Sequence, residues 1–196
     1  MKFTQIPTDT FKNLQLNAGI LVKNFAPTTG NVTPSDIIGA TSGGISFEAT
    51  PTFSDYGDDI DNCPKNMKEL KKLDSWEAKL SGTFVSVNTE LSKTLIGAAD
   101  VDTEDATHVV PRNSLSDADF ETIWWVGDYS ELNGAKNGGY CAIQLKNALS
   151  TGGFKIQTGD KAKGTFSFEF LGHYSIDAQD EVPFDIYIKA GTAEAG

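Results

Sequence analysis

The sequence predicts a mainly β fold, an antiparallel β-sandwich or barrel of about seven to nine strands with one packed α-helix. Three observations support this class. The 196 residues include 19 glycines and 12 phenylalanines, a composition typical of strands joined by many turns. Several segments alternate apolar and polar residues with the period of two of a half-buried strand. Only one segment has the apolar spacing and the capping residues of a helix.

Strands are expected along most of the chain. The clearest are residues 44–53 and 76–84, where apolar and polar residues alternate over the whole length. Both have a polar second face, as an antiparallel sheet with one wet side requires. Residues 26–44 are predicted to be a loop with one helical turn begun by Ser35. Further strands are predicted in residues 13–25, 124–126, 138–148 and 182–191, and in a hairpin around 159–164.

The one predicted helix covers residues 89–96. Asn88 or Thr89 can cap its N-terminus, Leu91 and Leu95 belong to its apolar stripe, and Gly97 can end it. We expect this helix and the phenylalanine-rich hairpin that follows residue 164 to pack behind the sheet, where they support a site without forming it.

Residues 1–196 are predicted to form one domain, since the length suits a single core and no linker or internal repeat divides the chain. Residues 1–12 are interpreted as an N-terminal arm and residues 191–196 as a flexible tail. A long charged loop, residues 54–74, joins the two clearest strands, although about two to five residues are enough for such a connection. Its length indicates a role of its own.

Acidic residues outnumber basic ones by 27 to 16, so the formal net charge is −11. A surface this acidic repels phosphate, which disfavours wrapping or reading a nucleic acid. It remains compatible with a surface that DNA merely passes.

The cysteines and the termini point to an intracellular origin. Cys63 and Cys141 are too few for a disulfide scaffold or a cysteine metal site and are interpreted as unlinked thiols. The N-terminus lacks the apolar stretch of a signal peptide, and no apolar run reaches the ~18 residues of a membrane helix. We therefore expect a soluble protein made in a cytoplasm.

No group of residues has the pattern of a catalytic or metal site, so we expect neither catalysis nor a cofactor. His108 and His173 stand in unrelated contexts. The stretch "GDKAKGT", residues 159–165, has the glycine spacing of a P-loop but lacks the lysine after the second glycine, and it opens a strand. The aspartates near residue 58 lack the spacing of a calcium loop.

The tryptophans allow an alternative function. Trp124 and Trp125 must point to opposite faces of an extended strand, so one is expected in the core and the other is free for an interface. A β-sandwich module that binds carbohydrate through Trp124 or Trp125 is therefore an alternative interpretation. Trp76 shares a face with Leu80 and Phe84, which is a core pattern.

Five stretches of the chain carry a resemblance to a known family. They are "IGATSGGISFEATPTFSDYGDDIDNCPKNMKELKKLDSWEAKLSGTF", "IGAADVD", "VVPRNSL", "IWWVGDYS" and "KGTFSFEFLGHYS", in this order. Over residues 14–188 the chain resembles the major tail proteins of tailed bacteriophages, which are the tail tube subunits of siphophages and related prophages.

The resemblance implies a structural virion protein with a fold of the phage tail tube type. Such subunits form hexameric rings that stack into a hollow tube, with a continuous inner barrel around the tape measure protein and later around the DNA. The implied partners are copies of the chain, the tape measure protein, tail terminator and distal tail proteins, and DNA in transit without specific binding. The implied location is the virion tail, assembled in the host cytoplasm.

One feature departs from many relatives. They carry an extra C-terminal immunoglobulin-like domain, and this chain ends without one, so we expect a tube without decoration. The inner tube protein of a contractile tail or of a phage-derived bacteriocin shares the implied fold and is the close alternative.

The polar strand faces are candidates for the lining of the tube. Three glutamates and one lysine give this set a charge of −2 per subunit, and six copies would carry about −12 per ring, which keeps DNA from sticking. The same alternation also fits an outer surface. The candidates are Ser46, Glu48, Thr50, Glu77, Lys79, Ser81, Thr83, Thr165, Ser167 and Glu169.

The long loop is interpreted as the contact between stacked rings, because the resemblance implies a loop here that reaches the neighbouring ring. It is acidic first and basic second, which suits head-to-tail association, and Met67, Leu70 and Leu73 are its candidate apolar anchors. A solvated surface loop is the alternative, and reversing the charges of its later lysines separates the two. The candidate residues are Asp55, Asp58, Asp59, Asp61, Lys65, Met67, Lys68, Leu70, Lys71 and Lys72.

Overall fold

Ten strands, one α-helix and three short 3-10 helices form the secondary structure of the described residues of this computed structural model, which are 6–7, 10–15, 17–129 and 139–191. The 3-10 helices are Thr10–Asn13, Pro34–Asp36 and Asp117–Asp119. The longer elements are β1 (Ile20–Val22), β2 (Thr41–Asp55), β3 (Lys71–Phe84), α1 (Thr89–Ile96), β4 (Ala99–Val101), β5 (Val109–Pro111), β6 (Glu121–Tyr129), β7 (Gly139–Ser150), β8 (Lys155–Gln157), β9 (Thr165–Leu171) and β10 (Phe184–Lys189).

The strands form two antiparallel sheets that join at one corner. The first sheet has the order β1-β6-β7-β10 and the second has the order β2-β3-β9-β8. The end of β7 pairs with the end of β9 through Leu149 with Leu171 and Ser150 with Phe170. β4 and β5 form a separate hairpin. The predicted mainly β, antiparallel fold with one packed helix is therefore confirmed.

The core lies between the two sheets. The second sheet contributes Leu80, Phe84 and Phe170, all with no exposed surface, and the first contributes Ile123 and Leu145. These are the apolar positions of strands that alternate in sequence, so the polar positions of the second sheet are left on its other face.

Helix α1 matches its predicted bounds. The Leu91 amide donates to the side-chain oxygen of the N-cap Asn88 (2.8 Å), and Gly97 ends the helix at a φ of 85°. Leu91 and Leu95 are buried against the core between the sheets. No helix of the described residues is both long and apolar enough to cross a membrane.

The N-terminal region differs from its prediction. The expected strand in residues 13–25 is reduced to β1, preceded by a single bridge between Gln15 and Tyr129. The helical turn is Pro34–Asp36 with Thr33 as its N-cap, so Ser35 lies inside it. Residues 1–5, 8 and 9 of the predicted arm and 192–196 of the predicted tail lie outside the described residues.

Neither Trp124 nor Trp125 is free for an interface, so that expectation is wrong. Trp124 is 6% exposed because Phe25, in the segment after β1, covers it with ring centroids 5.5 Å apart. Trp125 points to the other face, packs against the core and donates through Nε1 to the Ala18 carbonyl (3.0 Å). The alternation was predicted correctly, but the chain itself covers both faces.

Arg112 ties the β4–β5 hairpin to the turn before β6. Its guanidinium forms ion pairs with Asp100 (2.7 Å) and with the buried Asp119 (2.5 Å), and it donates to the Ser114 carbonyl (2.7 Å). Burial raises the pKa of Asp119, but hydrogen bonds from the Ser116 amide and from Arg112 outweigh it and hold that pKa below the ordinary value for aspartate.

Asp119→Asn is expected to lower the free energy of unfolding at pH 7 by about 1–3 kcal/mol. Because the folded pKa is the lower one, ionised Asp119 stabilises the fold above pH ~4, and this contribution is lost as the pH falls through the folded pKa. Urea denaturation at pH 7 and pH 3 should show the two proteins converging at the acid end, with Asp117→Asn as an exposed control. An equal difference at both pH values would contradict this account.

Candidate assembly surfaces

The second sheet brings the candidate lining residues together on one face. Cross-strand pairs join Ser46 with Ser81, Glu48 with Lys79 and Thr50 with Glu77 between β2 and β3. Between β3 and β9 the pairs are Ser81 with Glu169 and Thr83 with Ser167, while Thr165 pairs with Gln157 of β8. We call this surface the polar face. Whether it lines a tube stays a prediction.

Lys155 and Gln157 also belong to the polar face, although the sequence pattern did not indicate either residue. Lys155 pairs with Ser167, and Gln157 pairs with Thr165. Strand β8 has only three residues, too few for alternation to be recognised. Adding Lys155 changes the charge of the face from −2 to −1 per subunit, that is three glutamates against two lysines.

One ion pair crosses the centre of the polar face. Lys79 Nζ lies 3.0 Å from Glu48 Oε2, directly across the β2–β3 ladder. The hydrogen bond and charge of Glu48, with smaller contributions from Glu169 and Glu77, raise the pKa of Lys79 above its ordinary value. Lys79 thus stays protonated at any physiological pH among three carboxylates.

β2 is an edge strand whose outer side has no partner among the described residues. The Trp76 amide donates to the Tyr174 hydroxyl oxygen (2.8 Å) and the Ala78 carbonyl accepts from the Gly172 amide (2.9 Å), both on the side away from β2. Their partners on β2 are Pro51 and Ala49. These are therefore non-hydrogen-bonded pairs of the antiparallel ladder, in which both residues turn their backbone amide and carbonyl groups away from each other. The backbone groups of Ala49 and Pro51 thus face the open edge.

This open edge runs for 15 residues, about 50 Å. Pro51 withdraws one donor from it, which leaves the other outward amides available. β10 of the first sheet faces β2 across the core, since Phe184 packs against Phe47 with ring centroids 5.5 Å apart. Among the described strands β10 is also an edge strand. Ile186 and Ile188 of β10 are 51% and 61% exposed. Long edges beside exposed apolar side chains favour pairing with another chain.

The β2–β3 hairpin continues beyond the body of the protein as an arm, which we define as residues 53–73. A bulge that leaves Asp74 unpaired separates the arm from the sheet, and beyond it Phe53 pairs with Leu73 on the core-side face. Both are exposed, at 51% and 43%, because the first sheet ends before it reaches them. The apolar face of the second sheet therefore extends beyond the part that the first sheet covers.

The predicted loop 54–74 is shorter in the structure. β2 continues to Asp55 and β3 begins at Lys71, so the connecting segment is residues 56–70. The ladder extends because Ser54 pairs with Lys72 and Asp55 with Lys71, which places these residues on strands. The charged composition concealed the strands, since alternation is hard to recognise where both faces are wet.

Several predicted loop residues hold the arm together instead of being presented to a partner. Asp55 accepts from the amides of Gly57 (3.0 Å) and Asn66 (3.1 Å). Lys71 Nζ donates to the Asn66 side chain (3.2 Å), and Leu70 is half-buried against Gly57. Whether Leu70 serves as an apolar anchor for a neighbouring ring stays a prediction. Asp58, Asp59, Asp61, Lys65, Met67, Lys68 and Lys72 are exposed.

Asp55→Ala is expected to loosen the end of the arm without unfolding the body. Losing two charge-assisted hydrogen bonds should lower the local opening free energy by about 1–3 kcal/mol, because both amides then need other partners. Hydrogen exchange of the Gly57 and Asn66 amides should be about tenfold faster or more. Asp58→Ala, at an exposed position of the same loop, is the control, and equal rates in the two variants would rule out this role for Asp55.

Neither the side chains of the described residues nor comparison with known proteins indicates a further site. Among the described residues, no group of three or more His, Cys, Asp or Glu side chains is arranged to hold a metal ion. No family model matches the chain, and no curated protein matches it. The surfaces that distinguish this β-sandwich are its open edge, its polar face and its arm.

Proposed function

We propose that the chain is a structural subunit that polymerises into the tail tube of a bacteriophage with a long non-contractile tail. The observation that carries this proposal is that β2 forms the open edge of a sheet that has one polar face. The second sheet ends in the edge strands β2 and β8, whose outer sides have no partner strand within the described part of the chain, so such a sheet can continue from copy to copy. The resemblance described above supplies the hexameric ring.

Lateral pairing of β2 with β8 of the neighbouring copy closes the ring. Six four-stranded sheets make a barrel of about 24 strands, with a backbone diameter of about 50 Å at a usual strand tilt. Such a barrel leaves a channel wide enough for a DNA duplex. Closure also removes the edges that would otherwise associate without limit.

The polar face lines this channel in the proposed tube, and the first sheet faces outwards. With Lys155 included, six copies carry about −6 per ring on the channel wall. Such a wall repels phosphate weakly and contains no cluster of arginine or lysine that would hold it, so DNA slides through. The tape measure protein occupies the channel before DNA does, and tail terminator and distal tail proteins bind the two ends.

Electron microscopy of the concentrated protein tests the proposal. We expect hollow filaments or six-fold rings, and in cryo-EM a gold cluster attached at Ser46→Cys, in a background without Cys63 and Cys141, should lie inside the tube wall. The same label at Thr122→Cys, on the exposed face of β6, should lie outside. A monomer at all concentrations, even with a tail-tip complex as initiator, would overturn the tube. A label from Ser46→Cys on the outer wall would overturn the channel assignment.

A further inference from the structure

The two ends of the second sheet present complementary surfaces. β3 begins at the arm, and β9 runs antiparallel to it with Phe166 beside Phe84 at the far end. The β8–β9 turn, residues 158–164, lies beyond that far end, since Gln157 and Thr165 pair just before it. The arm loop and this turn therefore lie at opposite ends of a strand of 14 residues, about 45 Å long.

Opposite charges are exposed at these two ends. The first half of the arm loop contains Asp58, Asp59 and Asp61, and the β8–β9 turn contains Lys161 and Lys163 beside one aspartate, Asp160. Among the described residues, the three aspartates of the arm loop and the two lysines of the turn take part in no ion pair, although eight other pairs form. The acidic half of the arm loop and the β8–β9 turn thus keep opposite net charges, −3 and +1.

Apolar side chains accompany the charges at both ends. Tyr56 and Ile60 are 56% and 51% exposed in the arm loop, beyond the uncovered Phe53 and Leu73. At the other end, Ile156 of β8 is 56% exposed. Exposed apolar side chains beside a charged rim are typical of a protein interface.

We propose that the acidic part of the arm loop of one copy docks on the β8–β9 turn of a second copy in the next ring. This inference rests on the proposed function and names the surface that receives the arm. Because the arm loop and the β8–β9 turn lie at opposite ends of the sheet, they meet only when copies stack head to tail. Such a contact can repeat from copy to copy without limit, so it generates a filament. The exposed lysines of the arm are then not the charges that select the partner.

Charge exchange tests this contact. The variant Asp58→Lys, Asp59→Lys, Asp61→Lys and the variant Lys161→Glu, Lys163→Glu should each form rings but at least about tenfold less tube, since losing a few desolvated charge pairs has effects of this size. Combining the two sets should restore tubes. The matched control Glu90→Lys, Glu104→Lys, Asp180→Lys makes the same change in net charge as the aspartate variant, at exposed positions outside the arm loop and the β8–β9 turn, and should assemble as the wild type does.

The outcomes separate the contact from the function on which it rests. If the wild type forms neither rings nor filaments, both fall together. If the wild type forms tubes and either single-end variant forms them equally well, only the contact is wrong. Failure of the combined variant to recover tubes, with circular dichroism showing a folded subunit, also overturns it.

Discussion

Ala49→Pro is expected to abolish ring and tube formation while the subunit stays folded. The Ala49 amide faces the open edge of β2, so proline removes a donor needed for pairing with a neighbour and leaves the β2–β3 ladder intact. Pro51, two residues further on, occupies an equivalent outward position, which shows that this strand accommodates proline. The ring of a second proline also obstructs the approach of another strand.

Ala49→Val is the matched control, because it adds bulk at the same position and keeps the amide. Sedimentation velocity and electron microscopy should show rings and tubes for the control and only monomers for Ala49→Pro. Circular dichroism should show both variants folded, with free energies of unfolding within about 1–2 kcal/mol of the wild type. Tubes of normal length from Ala49→Pro would mean that copies do not associate through this edge.

Phe170→Ala is expected to produce the largest loss of stability, about 3–5 kcal/mol. Phe170 has no exposed surface, pairs with Leu80 of β3 and Ser150 of β7, and so lies where the two sheets join. Removing its ring leaves a cavity bordered by Phe168, whose ring centroid is 5.4 Å away. Since a domain of this kind has about 5–15 kcal/mol in total, the variant should have a much lower midpoint in urea.

Phe53→Ala makes the same substitution at the exposed face of the arm and serves as the comparison. Half of the Phe53 surface is already in water, so its loss should cost at most about 1 kcal/mol in the isolated subunit. The two variants thus separate folding from association, because Phe53→Ala should reduce tube formation while lowering the urea midpoint far less than Phe170→Ala does. Equal midpoints for the two variants would contradict the placement of the core.

Much of the fold was predictable because its signals are local. The alternation in residues 44–53 and 76–84 correctly divides β2 and β3 into a core-side and a polar face, since side chains of a strand alternate whatever it packs against. The limits of α1 were predictable for the same reason, as its N-cap Asn88 and its terminal Gly97 lie within a few residues of it. The candidate lining residues share one face as a direct result of this periodicity.

The arm was predicted less well. Its position between two strands and its division into acidic and basic halves can be read from the sequence. That Asp55 and Lys71 close the loop internally cannot, because Asp55 bonds to the amide of Asn66, eleven residues away, and only the folded hairpin brings the two together. Fewer charged residues of the arm are therefore available to contact a partner than the sequence suggested.

By itself the sequence determined the β class, the single helix, the polar and apolar faces and the presence of an unusual charged connection. Only the tertiary structure decided that β2 has an open edge, that Trp124 is covered by Phe25, and that the arm and the β8–β9 turn lie at opposite ends of one sheet. Which face a side chain occupies depends on its near neighbours in the chain. Which face is covered and which edge is paired depend on strands up to about a hundred residues away.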